Sequence, residues 1–355
     1  MIKQLKIAAA CCIILLLSAC IKKKKDDFNR TELLNSMYTM VIQPGYTGLK
    51  DASATLQTAA NSFLTSPDSA SLSNLKDAFY VAYANLQYVE ALDFSSESAL
   101  RNDLNSFPSD TAQIDNNIAS GSYNLSTVNN LRAKGFPALD YLLYGKPHAQ
   151  TISDFSGNAN RKQYLTDVVS DIVSKANAAS NWWNANKTTF VNASGTDVGS
   201  SVGMLVNDMS FEMERNRRER VGTPLGYVGL IFGGSVAPQT TEAYYSGYSK
   251  EMFLENLKGL AALYSGAGGV GFDDYLTHLG ADYNGTPLAN EISTQFVKVR
   301  TAAEQIPVPF SQAVTTHNAE MQTLFLELKK LTVLIKVDMS SQLGVIINYS
   351  DNDGD

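Results

Sequence analysis

Residues 164–183 read YLTDVVSDIVSKANAASNWW, and their spacing decides the fold class. Tyr164, Val168, Ile172, Ala176, Ala179 and Trp183 recur at intervals of three and four, which places them on one face of a helix. A strand would instead alternate every second residue, and this run is several times a normal strand length. Two other stretches repeat the pattern. Leu75, Ala78/Phe79, Ala82, Leu86 and Val89 form one stripe, and Met321, Leu324/Phe325, Leu328, Leu331 and Leu334/Ile335 form another. No sustained two-residue alternation occurs, so the expected class is all-α, with two bundle-like domains and at most small strands.

Punctuation agrees with helices. Ser71 or Ser73, after the Pro67-Asp68 turn, is placed to cap the helix that carries Leu75. Ser109 is placed to cap a short helix through Ile118 that Gly121 closes. Pro44-Gly45 should kink or interrupt a first long helix running from about Thr31 to Leu64. Gly/Ser/Asn-rich stretches at 154–160, 192–203 and 222–234 separate the helical blocks, and the first of them divides the chain into domains at 29–155 and 156–355.

The chain has 355 residues, 44% hydrophobic and 18% charged, with a net charge of −7. Its apolar share excludes a disordered chain, and its acidity argues against a nucleic-acid partner. Lys3 and Lys6 precede an apolar run from Ile7 to Leu17 and then Ser18-Ala19-Cys20. A bilayer span needs roughly 20 apolar residues, so this run reads as a signal peptide, residues 1–19, ending in a lipobox-like pattern before a lipid-modified Cys20. Cys11 and Cys12 leave with the signal, so the mature chain has no disulfide and no thiolate metal site. Residues 20–28 would be a lipidated tether, whose lysine-then-aspartate order resembles surface-export tethers of Bacteroidetes lipoproteins. The expected location is the bacterial cell envelope, with the protein anchored in the membrane through Cys20 and facing the periplasm or the cell surface.

Several motifs invite more than they support. Gly266 to Gly271 matches GxGxxG, but it follows a predicted helix, Phe253 to Tyr264, rather than a strand, and reads as a connector. Asp351 to Asp355 resembles the start of a calcium loop but ends before the remaining ligands, so it reads as a polar cap. His148, His278 and His317 are too far apart for any local zinc motif. In the charge run Glu212–Arg220, Glu214 pairs with Arg217 or Arg218 and Arg215 with Glu219 on a helix. That run is either a solvated face or a source of an inward Arg215 or Arg218 holding a carboxylate at a domain junction.

The segment Gly135-Phe136-Pro137-Ala138-Leu139-Asp140-Tyr141-Leu142-Leu143-Tyr144-Gly145 is the most informative chemically. It reads as a short apolar helix with Pro137 in its first turn and one carboxylate, Asp140, among residues that ought to be buried. This segment resembles the imelysin family, also called the insulin-cleaving metalloproteinase family, whose GxHxxE motif lies in a stretch like GFHAxEYLLxG. The resemblance extends through Val41 to Tyr46, Ala78 to Ala91 with Glu90 at a recurrent acidic position, Glu214 to Gly226, Tyr245-Ser246-Gly247-Tyr248-Ser249 and Leu343-Gly344-Val345. It implies an all-helical, two-domain envelope protein associated with iron uptake, with iron as the implied metal and uptake proteins as partners.

The chain departs from the motif where chemistry would reside: Pro137 replaces the histidine and Asp140 the glutamate. A metallopeptidase needs about three protein ligands and an open position for water, so the family's original label does not carry over. The expectation is a non-catalytic lipoprotein that binds iron or an iron complex. The alternative is a structural or interaction lipoprotein with a vestigial site. Asp140 and Glu90 are the candidate metal ligands, with tyrosines such as Tyr88 or Tyr144 as further oxygen donors. Gly135 is the backbone hinge of the motif, Pro137, Tyr144 and Ser246 its neighbours, and Arg218 a partner across the junction.

Overall fold

The computed structural model describes residues 26–93, 100–228 and 234–349. Cys20, most of the tether and the Asp351–Asp355 tail lie outside the described residues. Helices dominate, and the one sheet among the described residues is a two-residue ladder, β1 (Asp282–Tyr283) antiparallel to β2 (Thr286–Pro287). The fold class is all-α. Among the described residues no helix is long and apolar enough to cross a membrane.

The N-terminal helices are α1 (Arg30–Met37) and α2 (Gln43–Thr65), joined by a π-helical turn at Tyr38–Ile42, then α3 (Ser69–Val89). The run Arg30–Thr65 stays helical but leaves α geometry at Tyr38–Ile42, just before Pro44, whose missing N–H cannot continue the ladder, so the long first helix is interrupted where Pro44-Gly45 suggests. The cap of α3 is Asp68 rather than Ser71 or Ser73, and Ser71 returns a hydrogen bond from the third position as the other half of a capping box. A short helix α4 (Leu100–Leu104) precedes α5 (Thr111–Ser120), which Asp110 caps in place of Ser109 and Gly121 closes in the left-handed conformation.

The motif helix α6 (Gly135–Tyr144) leads to α7 (His148–Gly157) and the long α8 (Ala159–Asn192). The 154–160 stretch is thus helical except for Asn158, whose side chain caps α8, and Phe155 packs edge-on against Phe63 in the core. Although α8 lies beyond residue 155, it packs along α2, α6 and α1. All six residues of its sequence stripe, Tyr164 through Trp183, are buried.

The remaining helices are α9 (Ser201–Arg215) with a π-helical extension Asn216–Gly222, α10 (Ser249–Ser265), α11 (Phe272–Leu279), α12 (Leu288–Glu304), α13 (Phe310–Thr316), α14 (Asn318–Val333) with its own π turn, and α15 (Ser340–Leu343). The GxGxxG segment is the connector between α10 and α11, as read from its context.

Early and late parts of the chain meet where α10 lies against α3. Gly259 permits this approach, since a Cβ there would stand 2.1 Å from the backbone oxygen of Tyr88. Replacing Gly259 with Ala forces the two helices apart. The expected cost is about 1–3 kcal/mol of stability, read as a lower urea midpoint with unchanged helical circular dichroism.

Candidate functional site

At the junction of α3, α9 and α10 the core turns polar. Arg220 leaves the π-helical turn and is fully surrounded by protein. Its Nε donates to Glu242 at 2.6 Å, and Nη1 donates to Glu212 at 2.6 Å and to Asn216 at 3.2 Å. Its Nη2 donates to Gln87 at 2.9 Å and to Glu90. A guanidinium has five N–H groups, and here all five have acceptors.

A second layer completes the network. Arg215 approaches Glu90 at 3.2 Å and donates to Glu219 at 2.8 Å. Arg101, from α4, donates to Glu212 at 3.0 Å, to Asp208 at 3.1 Å and to the Glu90 carbonyl at 2.7 Å. Asn105 donates to Glu90 and Glu242 at 2.6 and 2.7 Å, and Asn256 of α10 donates to Glu212 at 2.9 Å. Burial pushes the carboxyls of Glu90, Asp208, Glu212 and Glu242 upward, but Arg220, Arg215 and Arg101 together outweigh it at Glu212, whose pKa falls to about 2. Glu242 is likewise held below its ordinary value, against its burial, by Arg220 and Arg215.

The motif lies one loop away. Gly135 opens α6 at φ +71°, with the Leu104 backbone so close that a Cβ would meet its oxygen at 2.4 Å, so only glycine fits. Pro137 and Asp140 are buried. The two Asp140 oxygens accept backbone N–H groups, one from Tyr245 at 2.8 Å and the other from Ser246 at 3.0 Å. Burial still pushes its pKa up to about 6. The loop that supplies those donors also carries Glu242, and Ala243 between them adopts φ +48°, turning the chain from one task to the other.

The structure therefore brings Asp140 and Ser246 together and places Glu90 in the ion network. Glu90 and Asp140 do not form a metal site as arranged. Glu90 faces two guanidinium groups and the Asn105 amide, and the Asp140 oxygens are engaged by amides. Among the described residues no group of three or more His, Cys, Asp or Glu side chains is placed to hold a metal ion.

Tyr144 belongs to a tyrosine-rich edge, 3.5 Å from the Tyr248 hydroxyl and under the Lys76 ammonium. Tyr88 is half-buried, its ring beside Gly45 and its backbone against Gly259. Arg218 lines a different groove with Arg217, Lys329 and Phe325. The pairs Glu214–Arg217 and Arg215–Glu219 form as the charge run suggests, and Arg215 is the inward residue.

Sequence reasoning missed Arg220, Glu242, Arg101 and Asn256. One signal was available: Glu212, Asn216 and Arg220 follow at four-residue steps, which puts them on one helical face.

Two spaces border this junction. A cleft of about 630 Å³ is floored by Asn105, Arg215 and Thr240 and walled by Phe107, Pro108 and Phe211. Behind Phe107-Pro108 lies a chamber of about 30 Å³ lined by Pro137, Asp140, Gln239 and Thr241. Small polar chambers of this size suit a water molecule.

The family model described as Imelysin matches residues 42–335. Among solved structures, an imelysin-like protein from Psychrobacter arcticum 273-4 superposes with a TM-score of 0.70 at 18% identity, covering 90% of this chain and 97% of that one. A "putative iron-regulated protein A precursor" from Parabacteroides distasonis ATCC 8503 gives a TM-score of 0.74 at 15% identity, covering 91% and 97%. No curated protein matches.

Two outcomes follow from the electrostatics. Arg220→Lys keeps the charge but not the fork, leaving buried acceptors unpaired, and should cost about 3–5 kcal/mol in denaturant unfolding. The pH profile carries a second signature. Asp93, Asp140 and Asp208 are raised by burial from 3.8 to about 7, 6 and 6, so the folded chain holds protons that the unfolded chain releases. Stability from these groups is fully present below about pH 3.8 and is lost progressively as pH rises from there to about 6 to 7. Glu212 acts oppositely, losing its contribution as pH falls from 4.5 towards 2. Urea unfolding should therefore give maximal stability near pH 4, and Asp93→Asn should flatten the decline between about pH 4 and 7.

Proposed function

The chain belongs to the imelysin family, and from that premise we propose that it is a non-catalytic, lipid-anchored envelope protein that binds an iron complex as part of iron uptake. The carrying observation is the state of the motif. Pro137 offers no ligand, and Asp140 holds the Tyr245–Ser246 backbone instead of presenting a free carboxylate. A hydrolytic centre would need an imidazole or carboxylate base beside an open ligand position. What supports binding is the open cleft at the same junction, whose volume lies in the range of small-molecule sites. What supports iron is the likeness to the iron-regulated relative, together with the family's association with iron uptake. Because Glu90 is held by arginines, iron fits this reading as cargo within a complex rather than as a bare ion on these carboxylates.

The interaction reading has one observation in its favour. Tyr80, Tyr144 and Tyr248 form one set of ring contacts beside the motif helix, and Tyr141, Tyr244 and Tyr245 form a second, a composition common at protein interfaces.

The test is iron retained by the full chain after incubation with ferric chelates and desalting, alongside a peptide-hydrolysis assay with zinc. Stoichiometric iron without hydrolysis is expected. No iron retained from any chelate overturns the iron reading, and hydrolysis that Asp140→Ala abolishes overturns the non-catalytic one. Asp140→Asn should lower stability by about 1–3 kcal/mol, since its amide turns a donor towards a backbone N–H, while iron retention persists.

A further inference from the structure

Arg101 uses Nε and Nη2 on the ion network behind it, donating to Glu212, Asp208 and the Glu90 carbonyl. Its Nη1 makes no hydrogen bond among the described residues, and the side chain lines the 630 Å³ cleft. Arg132, exposed and also in the lining, makes one long bond of 3.3 Å to the Phe107 carbonyl and has no ion pair among the described residues. Arg215 lies at the floor, with Glu219 as the single carboxylate of the lining.

Two phenyl rings flank the cations. Phe211 packs on the Arg101 guanidinium at 4.8 Å and Phe107 on that of Arg215 at 5.3 Å. Cation–π packing holds Arg101 in place, so that its free edge is pre-oriented towards the cleft. Asn102, Ser106 and Thr240 add neutral hydrogen-bonding groups. The lining thus has three guanidinium groups against one carboxylate, apolar walls, and room for a molecule well above the size of a single oxyanion.

We propose that this cleft is a binding site for a small polycarboxylate anion, received by Arg101 Nη1 and Arg132 between the Phe107 and Phe211 rings. Planar guanidinium forks match carboxylates two N–H groups at a time, and several carboxylates on one small molecule would engage Arg101 and Arg132 together. The same chemistry arrives from two sources: the free polycarboxylate, or its ferric chelate, in which uncoordinated carboxylate oxygens still face outward. The proposal rests on the iron-complex reading for its biological cargo, but the cleft chemistry stands separately.

The experiment is calorimetric titration of the full chain with citrate, ferric citrate and inorganic phosphate, repeated with Arg132→Ala and Phe211→Ala. Arg132 is exposed, so its variant should keep the parent melting temperature. Citrate and ferric citrate should bind more tightly than phosphate, and Arg132→Ala should weaken both by about tenfold or more. Phe211→Ala should weaken them while leaving the helical spectrum intact. Absence of citrate and ferric citrate binding overturns the proposal, as does phosphate binding equally well or an unchanged affinity in Arg132→Ala. Citrate binding without ferric citrate binding supports the cleft assignment with the free acid as its ligand and excludes ferric citrate as the cargo. Ferric citrate binding that is indifferent to Arg132 and Phe211 overturns the cleft assignment and leaves the iron reading standing.

Discussion

The rest of the molecule is arranged around one buried cation. Arg220 gathers acceptors from α3, the turn that follows it, the π-helical end of α9 and the loop before α10. Removing such a group from water costs several kcal/mol, and only complete pairing offsets that cost. Completeness explains the geometry around it. Glu90, Glu212 and Glu242 would repel one another in a buried space, and the guanidinium lets all three stand at one point. The π-helical turn at Asn216–Gly222 belongs to the same arrangement, since it places Asn216 and Arg220 beside Glu212 on the inward face.

From this centre the loop at 241–247 carries the constraint to the motif. Glu242 is fixed by Arg220, and the next few residues present two N–H groups to Asp140. The motif helix is therefore tied to the ion network through backbone, not through a shared ligand. That is why a shorter carboxylate serves where the family has glutamate: both oxygens of Asp140 reach amides held at fixed positions. Pro137 suits the same economy of contacts, because position 137 lies in the first turn of α6, where a missing N–H leaves nothing unsatisfied. Asp140 thus ties the motif helix to the loop that carries Glu242, and the open cleft lies on the other side of Phe107-Pro108.

Arg101 shows how a structural group acquires a second use. Most of its donors stabilise Asp208 and Glu212, yet its packing against Phe211 leaves one edge directed at the cleft. The ion network thus supplies a rigid, charged floor, and the exposed rim supplies the adaptable groups. Binding residues set on packed elements are positioned more sharply than residues on free loops.

The sequence by itself determined the helical class, because the periodicity of Leu75 to Val89, Tyr164 to Trp183 and Met321 to Ile335 is a local property that burial simply confirms. It also determined that the motif lacks an imidazole, and it marked Gly135 and Asp140 as constrained. The cap of α5 lies one residue from Ser109, whereas that of α3 lies three residues before Ser71 and five before Ser73. Asp68 and Asp110 displaced the neighbouring serines because a carboxylate accepts more strongly at a helix N-terminus. Only the tertiary structure decided what Glu90 faces, which arginine turns inward, and where the loop bearing Glu242 lands. Those contacts join residues 130 positions apart in the case of Arg220 and Glu90, and 159 apart for Tyr83 and Glu242. Helical period says which face of a segment is buried. It carries no information about which distant segment that face will meet, and a buried charge is defined by its partners.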